Sequence, residues 1–306
     1  MLYLKDFVSM KDLTKEQIMD LLSTAETMKL MLNKNSKNAP YLQGKTVILF
    51  FENQQSKNKL AFDLAAKHLS AAVADLSGAR NIYANQNIIE VGKMMEEMGA
   101  DFIVVRHHLS GSSKYLAENV SARVINAGDG QNENPVRSML DLMTIQHYKG
   151  GFNGLKVAFI GDVENNRLAK SNIYALMKLG AKISVCGPPT LISENIFDDI
   201  IVYNRPIDAV KDADVIFCVK LEENSLDSKK IPSLNEYKTL FKIDEKLISN
   251  AHKDCLVLHP GSVRKGIEIT SSIISSDKCV IDVQNLNPIA LNMALYYMLS
   301  LKGGDK

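Results

Sequence analysis

The sequence predicts an α/β protein made of two doubly wound parallel-sheet domains linked by helices. Three observations predict it. Runs of β-forming residues alternate with segments of helical apolar spacing in units of about 25–35 residues, the pattern of parallel strands covered by helices on both faces. The alternation pauses at Gly150-Gly151-Phe152-Asn153-Gly154, a linker signal, and restarts after it. A last helix, Pro288–Leu301, is apolar on most faces and is expected to pack back across the domain junction. The expected division is 1–134 with 287–306, a linking helix at 135–149, and 150–286.

In chain order, Ser9–Asp12 and Thr14–Gln17 both read as capping-box starts. The second opens a helix to about Leu32, with Ile18, Leu21, Leu22, Ala25, Met28 and Met31 at helical spacing. Thr46–Phe51 is a run of β-formers and Lys57–Leu69 a helix, with Leu60, Leu64 and Leu69 near one face. A helix that starts just after a buried strand offers free N–H groups and a positive dipole end, so the polar loop Glu52–Ser56 between them is a natural anion site. Strand Ala71–Leu76, polar loop Ser77–Asn87, helix Ile88–Met98, strand Asp101–Arg106 and helix Lys114–Asn119 follow. Strand Arg123–Ala127 leads through a glycine-rich loop to helix Pro135–Lys149, which has Pro at its first position. The second series reads as strand Lys156–Ile160, helix Arg167–Leu179, strand Lys182–Cys186, a helical turn at Ile207–Lys211 and strand Asp214–Val219. Partial helix Tyr237–Asn250, strand Cys255–His259, helical Ile267–Ile274 and strand Cys279–Val283 complete it.

The bulk numbers exclude several classes of function. A net charge of +1 argues against nucleic acid or any other polyanion held by bulk charge. No stretch is long and apolar enough to span a membrane, and the first residues carry no signal-peptide core. Cys186, Cys218, Cys255 and Cys279 lack C-x-x-C spacing and read as buried thiols of a cytoplasmic protein. The histidines show no metal-ligand spacing, and neither metal nor cofactor is expected. Gly161–Lys170 has a single glycine, which is incompatible with a dinucleotide fingerprint.

Arg106 ends the buried strand and is followed by His107 and His108. Ligands of open α/β sheets bind beyond the carboxyl ends of strands, so Arg106 is a candidate ligand contact, with a structural ion pair as the alternative. Asn134 stands at a helix N-cap, and capping alone accounts for it equally well. Arg137, in the first turn of that helix, opposes the dipole preference, which points to an anion partner. Arg167 lies at the mouth of the second sheet, as a ligand contact or as a solvated helix charge. His259-Pro260-Gly261 again follows a strand.

The segments VINAGDGQNENPVRSMLDL, MGADFIVVRH, FIGDVENNRLAKS and LHPGSVRKGIEI, taken together and in order, resemble the aspartate/ornithine transcarbamylase family on its aspartate side. The resemblance covers nearly the whole chain. It implies two domains of the transcarbamylase type, the first for carbamoyl phosphate and the second for the amino acid, in a homotrimer with shared active sites. It also admits a regulatory or partner chain. Residue by residue, it assigns Arg106 to the carbamoyl group and Arg167 to the acceptor carboxylate, and keeps the loop His259, Pro260 and Gly261, followed by Ser262 in place of the usual Pro.

Elsewhere the site residues differ from the family pattern. Where Ser-Thr-Arg-Thr grips the phosphate, this chain has Gln55, Ser56, Lys57 and Asn58, in a loop one residue longer. The catalytic His is Asn134 and the Gln three residues on is Arg137. The loop that would reach the neighbouring subunit, Arg80–Asn87, has no Ser or Lys, and Arg80 is its one cation. The Arg-x-Gln of the acceptor loop is Lys220-Leu221-Glu222. Lys lacks the bidentate fork of Arg, and Asn donates a hydrogen bond but cannot become a cation. At about 1.5–3 kcal/mol for each lost charge-assisted contact, four or five losses exceed the roughly 4 kcal/mol of three decades in rate. On residues alone, the expectation is a transcarbamylase-fold protein with altered donor or acceptor, binding a small anionic or amino-acid-like ligand. Two other readings stand beside it: a pseudoenzyme that assembles or senses, and a genuine but weak aspartate carbamoyltransferase.

Overall fold

The structure is a computed structural model that describes all residues except 1–3, 35–38, 53–56, 78–86, 193–196, 198, 223–224, 226–229, 232, 260–263, 281–286 and 302–306. The chain divides into two compact units, Met1–Met143 with Gln284–Lys306, and Thr144–Val283.

In the first unit, helix α1 (Lys15–Asn33) starts from a reciprocal capping box. The Thr14 hydroxyl accepts from the Gln17 N–H at 3.2 Å, and the Gln17 side chain accepts from the Thr14 N–H at 2.9 Å. Ser9 starts no helix; its hydroxyl donates to Glu133 instead. Strands β1 (Thr46–Phe51), β2 (Ala72–Asp75), β3 (Phe102–His107) and β4 (Arg123–Asp129) form a wholly parallel sheet in the order β2-β1-β3-β4. Helices α2 (Lys57–His68), α3 (Ile88–Glu97) and α4 (Ser112–Asn119) link them, and α5 (Pro135–Lys149), which belongs to this unit as far as Met143, follows β4. Ile48, Ile103, Val105 and Val124 of the strands pack with Val91, Met95 and Leu116 of the helices. Burial on both faces explains why β3 reads as a continuous apolar run.

The buried face of α2 differs from the leucine-based expectation. Leu60 is 60% exposed, whereas Ala61, Phe62, Ala65 and Ala66 are buried. The small residues admit the final helix close by, and Phe62 meets Tyr296 edge-on at 6.3 Å and Phe51 at 6.2 Å. That final helix, Asn287–Ser300, returns to the first unit and packs on α1 and α2.

The second unit holds β5 (Lys156–Gly161), α6 (Arg167–Lys178), β6 (Lys182–Cys186), β7 (Ile201–Tyr203), β8 (Val215–Val219), α7 (Leu234–Phe241) and β9 (Leu256–Leu258). With the final helix counted as α8, these are the longer elements. The second sheet is also parallel throughout, in the order β7-β6-β5-β8-β9. All five residues of β8 are buried. The edge strand β7, three half-exposed residues, carries too little periodicity to be read from sequence. Cys279 makes a single bridge to Val257, and 281–283 of the expected strand lie outside the described residues. Cys186, Cys218 and Cys255 are buried free thiols and Cys279 is half-buried. Burial pushes the Cys186 and Cys255 thiols up to about 12.

Both sheets have a topological switch point. From β1 the chain goes to β2 on one side and β3 on the other; from β5 it goes to β6 on one side and later to β8 on the other. Open sheets bind ligands at the carboxyl ends of strands at such points.

Candidate active site

Arg106 sits at the first switch point. It is half-buried near the carboxyl end of β3, in register with Phe51 at the end of β1, and its carbonyl accepts from the Glu52 N–H at 3.1 Å. The expected anion-binding segment, Glu52–Ser56, begins at that residue. Gln55 and Ser56 lie outside the described residues, as does Arg80. Lys57 opens α2 and Asn58 follows it in the first turn, half-buried.

The segment beyond Arg106 is clamped by the glycine-rich loop after β4. The register of β3 and β4 shifts between Val105 and His107, the signature of a bulge, which re-aims side chains at a strand end. The Gly130 N–H donates to the His107 carbonyl at 2.9 Å. Gly130 has φ +46°, and a Cβ there would stand 2.8 Å from the His108 carbonyl, so only glycine fits. The His107 and His108 rings stack, with centroids 4.6 Å apart. Glu52 Oε2 accepts from the His108 N–H at 3.0 Å and lies 2.6 Å from His108 Nδ1. Partial burial pushes the Glu52 carboxyl up, but the His108 hydrogen bonds outweigh it and hold the group below its ordinary range.

Two acids that carry no sequence signal of their own hold the β4–α5 loop. Buried Asp129 accepts from Gly111 N–H at 2.7 Å and from the side chains of Asn126 at 2.9 Å and Asn132 at 3.0 Å. Buried Glu133 accepts from Ser9 and from the Met10 N–H at 2.9 Å, which ties the N-terminal segment to the loop. Asn134 is buried, and its side-chain oxygen accepts from the Arg137 N–H at 3.3 Å, a cap on α5. The Arg137 guanidinium lies 3.5 Å from Asp141, one turn along the same helix.

At the second switch point, β5 and β8 end side by side. Gly161, at φ +132°, brings the two backbones together, since a Cβ would collide with the Val219 carbonyl. Asn166 caps α6, accepting from Leu168 and Ala169 N–H groups at 3.1 and 3.0 Å, and its amide donates to Glu222 at 2.8 Å. Arg167 is the first residue of α6, half-buried. Lys220 Nζ stands 4.0 Å from the Glu222 carboxylate. Asp162, fully buried, accepts from the Glu222 N–H at 3.3 Å, the Ser225 hydroxyl at 2.5 Å and the Asn165 amide at 2.7 Å. Burial and the Asp162 charge raise the Glu222 carboxyl, against the pull of Lys220 and Arg167. Arg167, Lys220 and Glu222 therefore share one electrostatic neighbourhood.

His259 follows β9, buried, with Nε2 at 3.1 Å from Glu268. Pro260 and Gly261 lie outside the described residues. Glu268 also accepts from the Leu221 N–H at 3.0 Å and the Arg264 N–H at 2.9 Å. It thus joins the loop carrying Lys220 and Glu222 to the loop carrying His259. No sequence signal short of the resemblance singles it out.

Residues 5–147 match the family description "Aspartate/ornithine carbamoyltransferase, carbamoyl-P binding domain", and residues 153–299 match "Aspartate/ornithine carbamoyltransferase, Asp/Orn binding domain". The chain is 44% identical over 298 residues to an aspartate carbamoyltransferase catalytic subunit of Acetivibrio thermocellus, covering 97% of this chain and 96% of that protein. It is 39% identical over 301 residues to the same subunit of Ruminiclostridium cellulolyticum, covering 98% and 96%. Its fold matches an ornithine carbamoyltransferase from Pyrococcus furiosus with a TM-score of 0.86 at 25% identity, over 100% of this chain and 99% of that one. It also matches an aspartate transcarbamoylase from Trypanosoma cruzi in complex with carbamoyl phosphate, TM-score 0.85 at 19% identity, over 97% and 96%. By both halves of its sequence and by its fold, the chain belongs to the aspartate/ornithine carbamoyltransferase family.

Proposed function

We propose that this protein is a weak aspartate carbamoyltransferase, transferring the carbamoyl group of carbamoyl phosphate to L-aspartate. The observation that carries this reading is the 44% identity, over almost the whole chain, to a protein described as an aspartate carbamoyltransferase catalytic subunit. The altered-specificity reading drawn from the loop residues finds no comparable support. In the reaction the aspartate amine attacks the carbamoyl carbon, the carbon–oxygen bond to phosphate breaks, and the amine proton leaves with the phosphate.

On this reading Arg106 stabilises the carbamoyl oxygen as negative charge develops there, with Asn134 a neutral hydrogen-bond donor beside it. Gln55, Ser56, Lys57 and Asn58 hold the phosphate on the helix start, with Arg80 supplied by a neighbouring subunit of a homotrimer. Arg167, Lys220 and the loop His259–Gly261 receive the aspartate carboxylates. A reducing cytoplasmic setting suits the thiols. The rate is low because a neutral amide at Asn134 and a point charge at Lys57 replace stronger groups.

The test is formation of N-carbamoyl-aspartate from labelled carbamoyl phosphate, at high protein concentration, with and without aspartate. Aspartate-dependent product supports the proposal; its absence refutes it. One observation favours a second reading, ligand binding without turnover: the Asn134 oxygen and the Arg137 guanidinium are engaged by α5 itself. Thermal stabilisation by aspartate or phosphate with no product would select that reading.

A further inference from the structure

We propose that Glu52, His107 and His108 form a binding site for a divalent transition-metal ion of the zinc class. One carboxylate oxygen of Glu52 and one ring nitrogen from each histidine lie within 4.8 Å of one another. Two ligands each about 2.1 Å from one zinc ion are at most about 4.2 Å apart, so small side-chain rotations close this set on an ion. Two imidazoles and a carboxylate suit zinc, cobalt or nickel over magnesium or calcium, which take oxygen ligands.

The backbone supports the arrangement. Successive residues of a strand point to opposite faces, so adjacent histidines do not ordinarily share a ligand. Here the register shift at the end of β3 breaks that alternation, and the two rings stack at an interplanar angle of 29°. The Gly130 loop fixes the backbone beneath them. His108 is 59% exposed and Glu52 15%, which leaves the site reachable from solvent while one ligand is held firmly. An arriving ion takes the place of the proton in the Glu52–His108 hydrogen bond, and that proton moves to the other ring nitrogen or to solvent. The site follows directly on Arg106, yet it does not depend on carbamoyl transfer being the reaction.

The test is titration of the full-length, tag-free protein with cobalt(II), followed by its visible ligand-field absorption, and with zinc(II) by equilibrium dialysis. One equivalent should bind saturably to the wild type. His108→Ala should lower the affinity at least tenfold and Glu52→Gln by a comparable factor, with unchanged circular dichroism. Cys279→Ser, which alters a half-buried thiol elsewhere, should bind as the wild type does. Absence of saturable binding in the wild type overturns the proposal. So does binding that survives His108→Ala and Glu52→Gln, or binding lost in Cys279→Ser.

Discussion

His259 Nε2 lies 3.1 Å from Glu268 Oε2, and both side chains are wholly buried. The same carboxylate accepts two backbone N–H groups, from Leu221 and Arg264. Glu268 is thus the knot between the loops after β8 and β9. Replacing it with Gln leaves one oxygen for donors that now use two, so a buried N–H faces an amide N–H₂. The expected cost is about 1–3 kcal/mol of stability, measured by denaturant unfolding. Burial pushes the Glu268 carboxyl up, but hydrogen bonds from His259, Arg264 and Leu221 bring it below its ordinary value. A carboxyl lowered on folding stabilises the native state above the unfolded value, about pH 4.3. That stability is lost as pH falls through the folded value, so Glu268→Gln should flatten the acid side of the stability profile.

Arg106→Ala should lower the affinity for phosphate and carbamoyl phosphate by about ten- to a hundredfold, the worth of one charge-assisted contact. Arg106→Lys should fall between, since the charge remains but the planar fork does not. Isothermal titration with each anion checks both. Unchanged affinity in Arg106→Ala would place the anion elsewhere.

The parallel sheets and the strand-end position of Arg106 were legible because each has a local cause: apolar runs, and a charge closing a buried strand. What was illegible depends on contacts distant in sequence. Asp129 and Glu133 look like ordinary loop acids until the fold brings Gly111 and Ser9 to them. The 60% exposure of Leu60 was illegible because an apolar residue at helical spacing says nothing about which face the final helix covers. The Glu52–His108 pair is 56 positions apart and needs both the β1–β3 pairing and the bulge.

Glu222→Gln should raise stability at pH 7 by up to about 1 kcal/mol, since the group is part-exposed and its coupling screened. Its carboxyl is raised chiefly by burial, so ionisation costs the folded state more than the unfolded one. That cost grows as pH rises through the unfolded value towards the folded one and is absent below both. Gln keeps an oxygen for the Asn166 amide, now at 2.8 Å. Freed of a competing carboxylate, Lys220 and Arg167 should also bind aspartate more tightly. Thermal unfolding at pH 4 and 7, and aspartate saturation curves, read the two effects separately.

Asn134→His with Arg137→Gln should raise carbamoyl transfer while lowering stability. The imidazole can carry positive charge where the amide cannot, and the neutral Gln removes a cation from the proposed carbamoyl subsite. General acid–base groups contribute about 10²–10⁴-fold in intact sites, but with Gln55, Ser56, Lys57 and Asn58 unchanged a gain of about tenfold is expected. On the other side, the Asn134 side chain now caps α5, and losing a cap costs about 1 kcal/mol. The Arg137–Asp141 pair at 3.5 Å is lost as well, leaving Asp141, nearly buried, without it. The double variant should therefore melt a few degrees lower and turn over faster. A rate that stays flat while the melting temperature drops would show that Asn134 serves α5 alone.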